Sequence, residues 1–449
     1  MHLFGGLHIR LSDRILALLL ALASLLWSAI AILSAPEISQ IGEWTYIDYA
    51  HQLSEGHLPV QGEPLGAYTL EAWSCRGMEG VVGGTVPPPC GSTRGAYDPA
   101  DWPLAGENYN TFHPPVYFAF AGLLGKAAGS VGMDFTDGAR IASAIIAALG
   151  VAWLYYAIRQ WDLPKDVAAG GTLLAMSTPL MGEAAGIVHN DAAAMASGAA
   201  AVWLAARIFK QHNGGIIAPF LVTAVISLTR TMSVVAILGV GLIAGIIALL
   251  RWQQPIRRVA LGPALAVGLA TAISYIGWTA FQKSLVPEDY VPSITGISTE
   301  PYDPGKIWAV IATYGHRGPW GLVSPSGDWY LHASLDSSLM TAWSWVLYAL
   351  FLAALVAVPF VLYRGSDRSR RILALAVVTL PLLTSAIVQI RELVSNAAYF
   401  RYVPGRYAIS AIPVYSAALA AVATEKNLGR AFLVLGGFSF LVLLTSAFV

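Results

Sequence analysis

Eleven apolar runs divide this chain, and charged residues fall almost wholly between them. A run of roughly twenty such residues crosses the hydrocarbon core of a bilayer as a helix. Lipid offers no water to backbone N–H and C=O groups, so a spanning chain must close its hydrogen bonds internally, as helices or as a barrel. The alternating pattern of barrel strands is absent here, so the sequence predicts an all-α polytopic membrane protein. Its residues are 56% hydrophobic and 12% charged, against about 25% charged in soluble domains. The expected spans are 15–33, 139–158, 167–185, 191–207, 215–229, 232–250, 259–281, 339–363, 372–390, 405–424 and 431–449, in a single transmembrane domain over 1–449.

The run Ile15–Leu33 has no small-residue cleavage box behind it and reads as an uncleaved first span. Arg10 and Arg14 precede it and place the N-terminus in the cytoplasm. The run 114–124 is too short to cross and is expected to lie along the interface. With that layout the cytoplasmic loops hold fifteen basic and five acidic residues, a net +10, and the outer side holds the balancing −10. Letting the short run cross would move most later basic loops outward, against the positive-inside bias. Two long outer segments result, 35–138 and 282–338. The formal net charge of zero gives no nucleic-acid signal, and no internal repeat of the kind found in many transporters is visible.

Cys75 and Cys90, the only cysteines, both fall outside, where the compartment favours a disulfide. Closing that loop contributes about 3 kcal/mol in the chain-entropy treatment. Trp44, Trp73, Trp102, Trp320, Trp329 and Tyr330 also lie in the outer segments, either as interface anchors or as sugar-stacking platforms.

Four segments at the outer rim carry chemistry. In Glu37–His51, which begins directly after the first span, helical spacing puts Glu43 and Asp48 on different faces, so one is expected to be catalytic and the other structural or solvated. In 108–118, Pro114 and Pro115 start a helix, which leaves His113 at the bilayer surface. In 182–192, His189, Asn190 and Asp191 interrupt an apolar stretch. They serve as turn and cap, or they bring a second carboxylate to the face of Glu43. In 391–407, Arg391, Arg401 and Arg406 either snorkel to the headgroups or form an anion site, with Arg230 and His316–Arg317 as contributors. Carboxylates, a histidine and phosphate-type arginines suit group transfer from a membrane-embedded phosphate ester. A carboxylate takes the acceptor's proton, and the arginines, with or without a divalent cation, stabilise the departing phosphate.

In order, these pieces resemble the GT-C superfamily of membrane glycosyltransferases, which use polyprenyl-phosphate sugars. The resemblance rests on the acid after the first span with Tyr46–Tyr49 and Gly56–Pro59, then His113-Pro114-Pro115-Val116-Tyr117, then Arg140–Arg159, His189-Asn190-Asp191 and Gly405-Arg406-Tyr407. It implies juxtamembrane helices along the outer leaflet, Glu43 as base or metal-linked residue, Asp191 as second acid and Arg406 facing the donor phosphate. His113, Tyr117, His189 and Asn190 are its further substrate-binding positions, and Arg401 joins them from the outer arginine cluster. Many relatives carry an Asp–Glu pair where this chain has Gly42–Glu43; a Mg or Mn ion, if present, would be held by Glu43 and Asp191. The expected function is an inverting glycosyltransferase of the bacterial cytoplasmic membrane, working on its periplasmic face. It moves a sugar from a polyprenyl phosphate to a cell-envelope glycan, lipid or protein. The alternatives are a polysaccharide polymerase or ligase, a transporter or flippase of lipid-linked substrates, and a non-catalytic scaffold. A transporter predicts ionisable residues in mid-span, and here they cluster at span ends.

Overall fold

The computed structural model describes residues 12–40, 42–78, 87–91, 101–250, 255–287, 290–291, 299–306, 308, 337–400, 403 and 405–448. The protein is an all-α polytopic membrane protein. Among the described residues, nine helices are long and apolar enough to cross a bilayer.

The first long helix, α1 (Asp13–Ser34), starts on Ser12, whose hydroxyl accepts the Ile15 N–H. It is followed by three shorter helices, α2 (Glu43–Ser54), α3 (Ala67–Arg76) and α4 (Val116–Ser130). None of the three is among the candidate spans, which agrees with the non-crossing run expected at 114–124. The second long helix, α5 (Phe135–Arg159), is capped by Asp134, which accepts the Thr136 N–H at 2.8 Å.

Two expected spans differ. The stretch 167–185 is not one helix but two, α6 (Lys165–Met176) and α7 (Pro179–Gly186). Pro179 has no N–H to give and its ring collides with the carbonyl four residues back. The hydroxyls of Ser177 and Thr178 donate to Leu173 O and Ala175 O, so the break leaves those carbonyls satisfied. The stretch 215–229 is α9 (Ile217–Thr229), thirteen residues, or about 20 Å of helix, short of the hydrocarbon thickness.

The other long elements are α8 (Ala194–Phe209), α10 (Val235–Leu250), α11 (Pro255–Lys283), α12 (Ser338–Arg364), α13 (Arg371–Asn396), α14 (Ile412–Glu425) and α15 (Gly429–Ser446). Helices α8, α10 and α14 are each entered through a 3-10 turn: Asn190–Ala193, Thr231–Val234 and Gly405–Ala411. Lipid supplies little drive for helices to associate, so contact depends on small residues that let backbones approach. A Cβ on Gly436 of α15 would lie 2.3 Å from the Gly170 carbonyl of α6. A Cβ on Gly198 of α8 would lie 2.5 Å from both Ser410 O and Pro413 Cγ.

Helices α2–α4 pack at one end of the bundle around a separate apolar core. Trp44 and Trp73 stack there at 4.8 Å, and Trp102 lies 5.7 Å from Trp73. All three are no more than 2% exposed, so they are core residues rather than interface anchors or sugar platforms. Trp320, Trp329 and Tyr330 lie outside the described residues. Cys75 and Cys90 are bonded to each other. Next to that bond, Arg76 grips Asp134 and Asp137 at the start of α5. From the second long outer segment, β1 (Thr299–Pro301) pairs antiparallel with β2 (Ala398–Phe400), the strand leading into the Arg406 turn.

Candidate active site

Glu43 opens α2 and is fully buried. Its Oε1 accepts Arg140 Nε at 2.8 Å and Val188 N at 2.7 Å. Its Oε2 accepts a second guanidinium N–H at 2.9 Å and Ser39 N at 2.8 Å. An ionised carboxylate has about four acceptor sites, and here four donors fill them. Burial alone would raise this carboxyl; the charge and hydrogen bonds of Arg140, with the Ser39 and Val188 N–H groups, bring it below its ordinary value. Arg140 also donates to the carbonyls of Ala35 and Glu37. The pair therefore locks the exit of α1, the start of α5 and the loop before Asp191 together. Ser39 extends it, donating its hydroxyl to the buried Glu183 of α7 at 3.1 Å.

Asp48 faces away, as its spacing predicts. Gly66 N meets its Oδ1, and the amides of Gln52 and Asn108 meet its Oδ2, all at 2.7 Å. Burial pushes its carboxyl up to about 6 in spite of these donors. Glu43 and Asp48 are thus both fully engaged with the protein.

The second constellation is less occupied. Val188, fixed by Glu43, is followed by His189, Asn190 and Asp191, all at most 2% exposed. The Asp191 N–H donates to His189 Nδ1 at 3.0 Å. That bond makes Nδ1 an acceptor and leaves the imidazole hydrogen on Nε2, which is buried without a partner among the described residues. Both polar atoms of the Asn190 amide are in the same state. Asp191 Oδ1 forms a buried ion pair with Arg230 and lies 3.4 Å from His189 Nδ1. Despite that contact Oδ1 accepts no well-formed hydrogen bond from a described residue.

Tyr46, one helical turn along from Glu43, joins the two histidines. Its hydroxyl lies 3.2 Å from His113 Nε2, and its ring meets His189 at 4.2 Å. His113 Nδ1 is buried without a partner among the described residues. Burial, then Arg230, His189 and Arg391, hold His113 well below the usual histidine range. Burial also lowers His189, helped by Arg406 and Arg230 and opposed by Asp191. Both imidazoles are neutral at pH 7. The loop that carries His113 is held by Trp278, which donates to Phe112 O at 2.8 Å, and by Arg391, 5.5 Å from the Phe112 ring.

The structure thus gathers His113, His189, Asn190, Asp191 and Arg406, with Arg406 acting electrostatically on Tyr46, His189 and Asp191. Tyr117 lies behind them, its hydroxyl 2.7 Å from Ser143 of α5. Arg401, with His316 and Arg317, falls outside the described residues. The sequence alone assigns Tyr46 and Arg140 no role of their own and Arg230 only a contributing one. A charged residue in the first turns of an apolar span, as Arg140 is, was the available signal.

A divalent cation on Glu43 does not fit this geometry. Magnesium asks for oxygen ligands with open lone pairs, whereas four donors fill those of Glu43, and at Asp191 the neighbouring charge is already supplied by Arg230. Among the described residues, no three His, Cys, Asp or Glu side chains converge to hold a metal.

No family model matches the chain, and no curated protein matches it. Among solved structures, the chain is similar to the crystal structure of ArnT from Cupriavidus metallidurans bound to undecaprenyl phosphate. The identity is 14%, the match covers 93% of this chain and 78% of that one, and the TM-score is 0.37. A likeness at that level supports no argument about this chain's chemistry.

Proposed function

We propose that this protein is a membrane glycosyltransferase that moves a sugar from a polyprenyl-phosphate donor to a hydroxyl acceptor at the α2–α4 end of the bundle. The observation that carries the reading is Asp191, a buried carboxylate in ion-pair contact with Arg230 whose Oδ1 accepts no hydrogen bond from a described residue. It stands among neutral imidazoles and arginines at the head of a span.

In this reading the Asp191 carboxylate accepts the proton of the acceptor hydroxyl. The acceptor oxygen bonds to the anomeric carbon as the bond from that carbon to the phosphate oxygen breaks, and the electron pair leaves with the polyprenyl phosphate. A single displacement of this kind inverts the anomeric centre. Arg230 and Arg406 face the charge that develops on the phosphate, and His189 Nε2–H adds a neutral donor. Glu43 acts as a positioning residue: its engaged oxygens hold Val188, and hence the turn bearing His189 and Asp191. The acceptor class, the cell-envelope product and the periplasmic orientation belong to the same proposal.

The test is turnover by the purified protein with a panel of polyprenyl-phosphate sugars. Wild type transfers a single sugar. Asp191→Asn loses at least a hundredfold in kcat, a typical general-base contribution being about 10²–10⁴, and Arg406→Ala raises the donor KM. Block transfer of preassembled glycan would instead favour a polymerase or ligase. Full activity in Asp191→Asn would remove the proposed base.

A further inference from the structure

We propose that Arg230 is the fixed counter-cation of this site: it neutralises Asp191 in the place a divalent metal would otherwise occupy, and it presents its remaining donors to the phosphate of a prenyl-phosphate ligand. The choice of ligand rests on the function proposed above; the charge assignment stands on geometry alone.

Arg230 is 3% exposed and sits between α9 and the Thr231–Val234 turn that opens α10. A buried guanidinium at such a depth is costly unless it is paired. Among the described residues its partners are Asp191, in direct contact, and the Ser233 hydroxyl at 3.4 Å. A guanidinium carries five N–H donors in a planar fork suited to phosphate, so these two partners leave donors over. Around it, His189 Nε2, His113 Nδ1 and the Asn190 amide are buried and unpartnered among the described residues. Buried polar atoms left in that state point to a polar ligand that completes them.

The donors select the sign of that ligand. The spare N–H groups of Arg230 and the His189 Nε2–H call for an acceptor, which a phosphate supplies and a divalent cation does not.

Two measurements on the purified full-length protein in detergent test the assignment. Electron paramagnetic resonance of added Mn2+ is expected to show no stoichiometric bound ion. Phosphorus NMR titration with farnesyl phosphate is expected to give an affinity that EDTA leaves unchanged. Arg230→Ala should weaken it about tenfold or more, the loss of one charge-assisted contact, and millimolar guanidinium should restore part of it. Arg230→Lys keeps a cation, preserves the unfolding midpoint and still weakens binding, because it lacks the fork; it carries the test if the alanine variant does not fold. One Mn2+ per chain that is lost in Asp191→Asn would overturn the proposal. So would EDTA-sensitive binding, wild-type affinity in both Arg230 variants, or no binding of farnesyl phosphate to wild type. Arg230-dependent binding without sugar transfer from any polyprenyl donor would remove the glycosyltransferase reading and leave this one standing.

Discussion

At the residue scale, the two rim carboxylates have opposite occupancies. Glu43 has four donors, and Asp191 offers an oxygen that no described residue hydrogen-bonds. Arg140→Ala strands a buried charge and is expected to cost on the order of 3–5 kcal/mol, visible as a lowered unfolding midpoint in detergent. Acid acts in two directions. His113 is neutral in the fold, so below about pH 6.5 the unfolded chain takes up a proton that the folded chain refuses. Its contribution is therefore present above that pH and lost as pH falls. His113→Gln should flatten this part of the stability–pH curve. Asp48, raised from 3.8 to about 6, has the reverse sign. Its contribution is full below pH 3.8 and is lost as pH rises through about 6, so the stability gap between Asp48→Asn and wild type should move in the variant's favour across that window. The acids, histidines and Arg406 were legible in the sequence, because polar residues at span ends stand out against apolar runs. Which carboxylate is engaged was not legible, since that depends on Arg140, 97 residues away from Glu43.

At the element scale, the site is built where helices begin badly. Three 3-10 turns, Asn190–Ala193, Thr231–Val234 and Gly405–Ala411, lead into α8, α10 and α14. Asn190 and Asp191 lie within the first, Arg230 caps the second and Arg406 lies within the third. Tight turns of this sort leave backbone and side chains less regular than an α-helix and often mark functional positions. Gly198 keeps the first and third close together. Gly198→Ala forces α8 away from Ser410 and Pro413, an overpacking cost of about 1–3 kcal/mol, and turnover should fall further than stability does. Reducing the Cys75–Cys90 bond, or replacing both cysteines by serine, should cost about 3 kcal/mol through loss of the anchor beside Arg76. The run of residues 167–185 shows the limit of hydropathy. Its average apolarity hides Ser177-Thr178-Pro179, where local side-chain hydrogen bonds and a missing N–H divide one span into two helices.

At the scale of the whole molecule, ion pairs mark the end of the bundle opposite the site. Asp13 pairs with Arg159, Lys210 with Asp162 and Asp367, and Arg370 with Glu425. These loops hold the basic excess read from the sequence, and the positive-inside bias predicts that they face the cytoplasm. Cysteines introduced singly into a protein with Cys75 and Cys90 replaced test this with a membrane-impermeant thiol reagent. A position in 211–214 should react only in inverted vesicles, and one in 60–64 should react in intact cells. The all-α polytopic architecture was legible because bilayer thickness and backbone satisfaction leave few solutions. The two expected spans that proved short, and the three tryptophans that proved to be core, depend on packing that a linear pattern does not encode. The Glu43–Arg140 pair also bears on how the chain is made. Its partners are separated by 97 residues, so at a synthesis rate of about 5–20 residues per second the acid waits roughly 5 to 20 s for its arginine. During that interval α1 stands in the membrane with an unmatched carboxylate at its exit. Only with the arrival of α5 does the exit of α1 gain the counter-charge that fixes it in the folded protein.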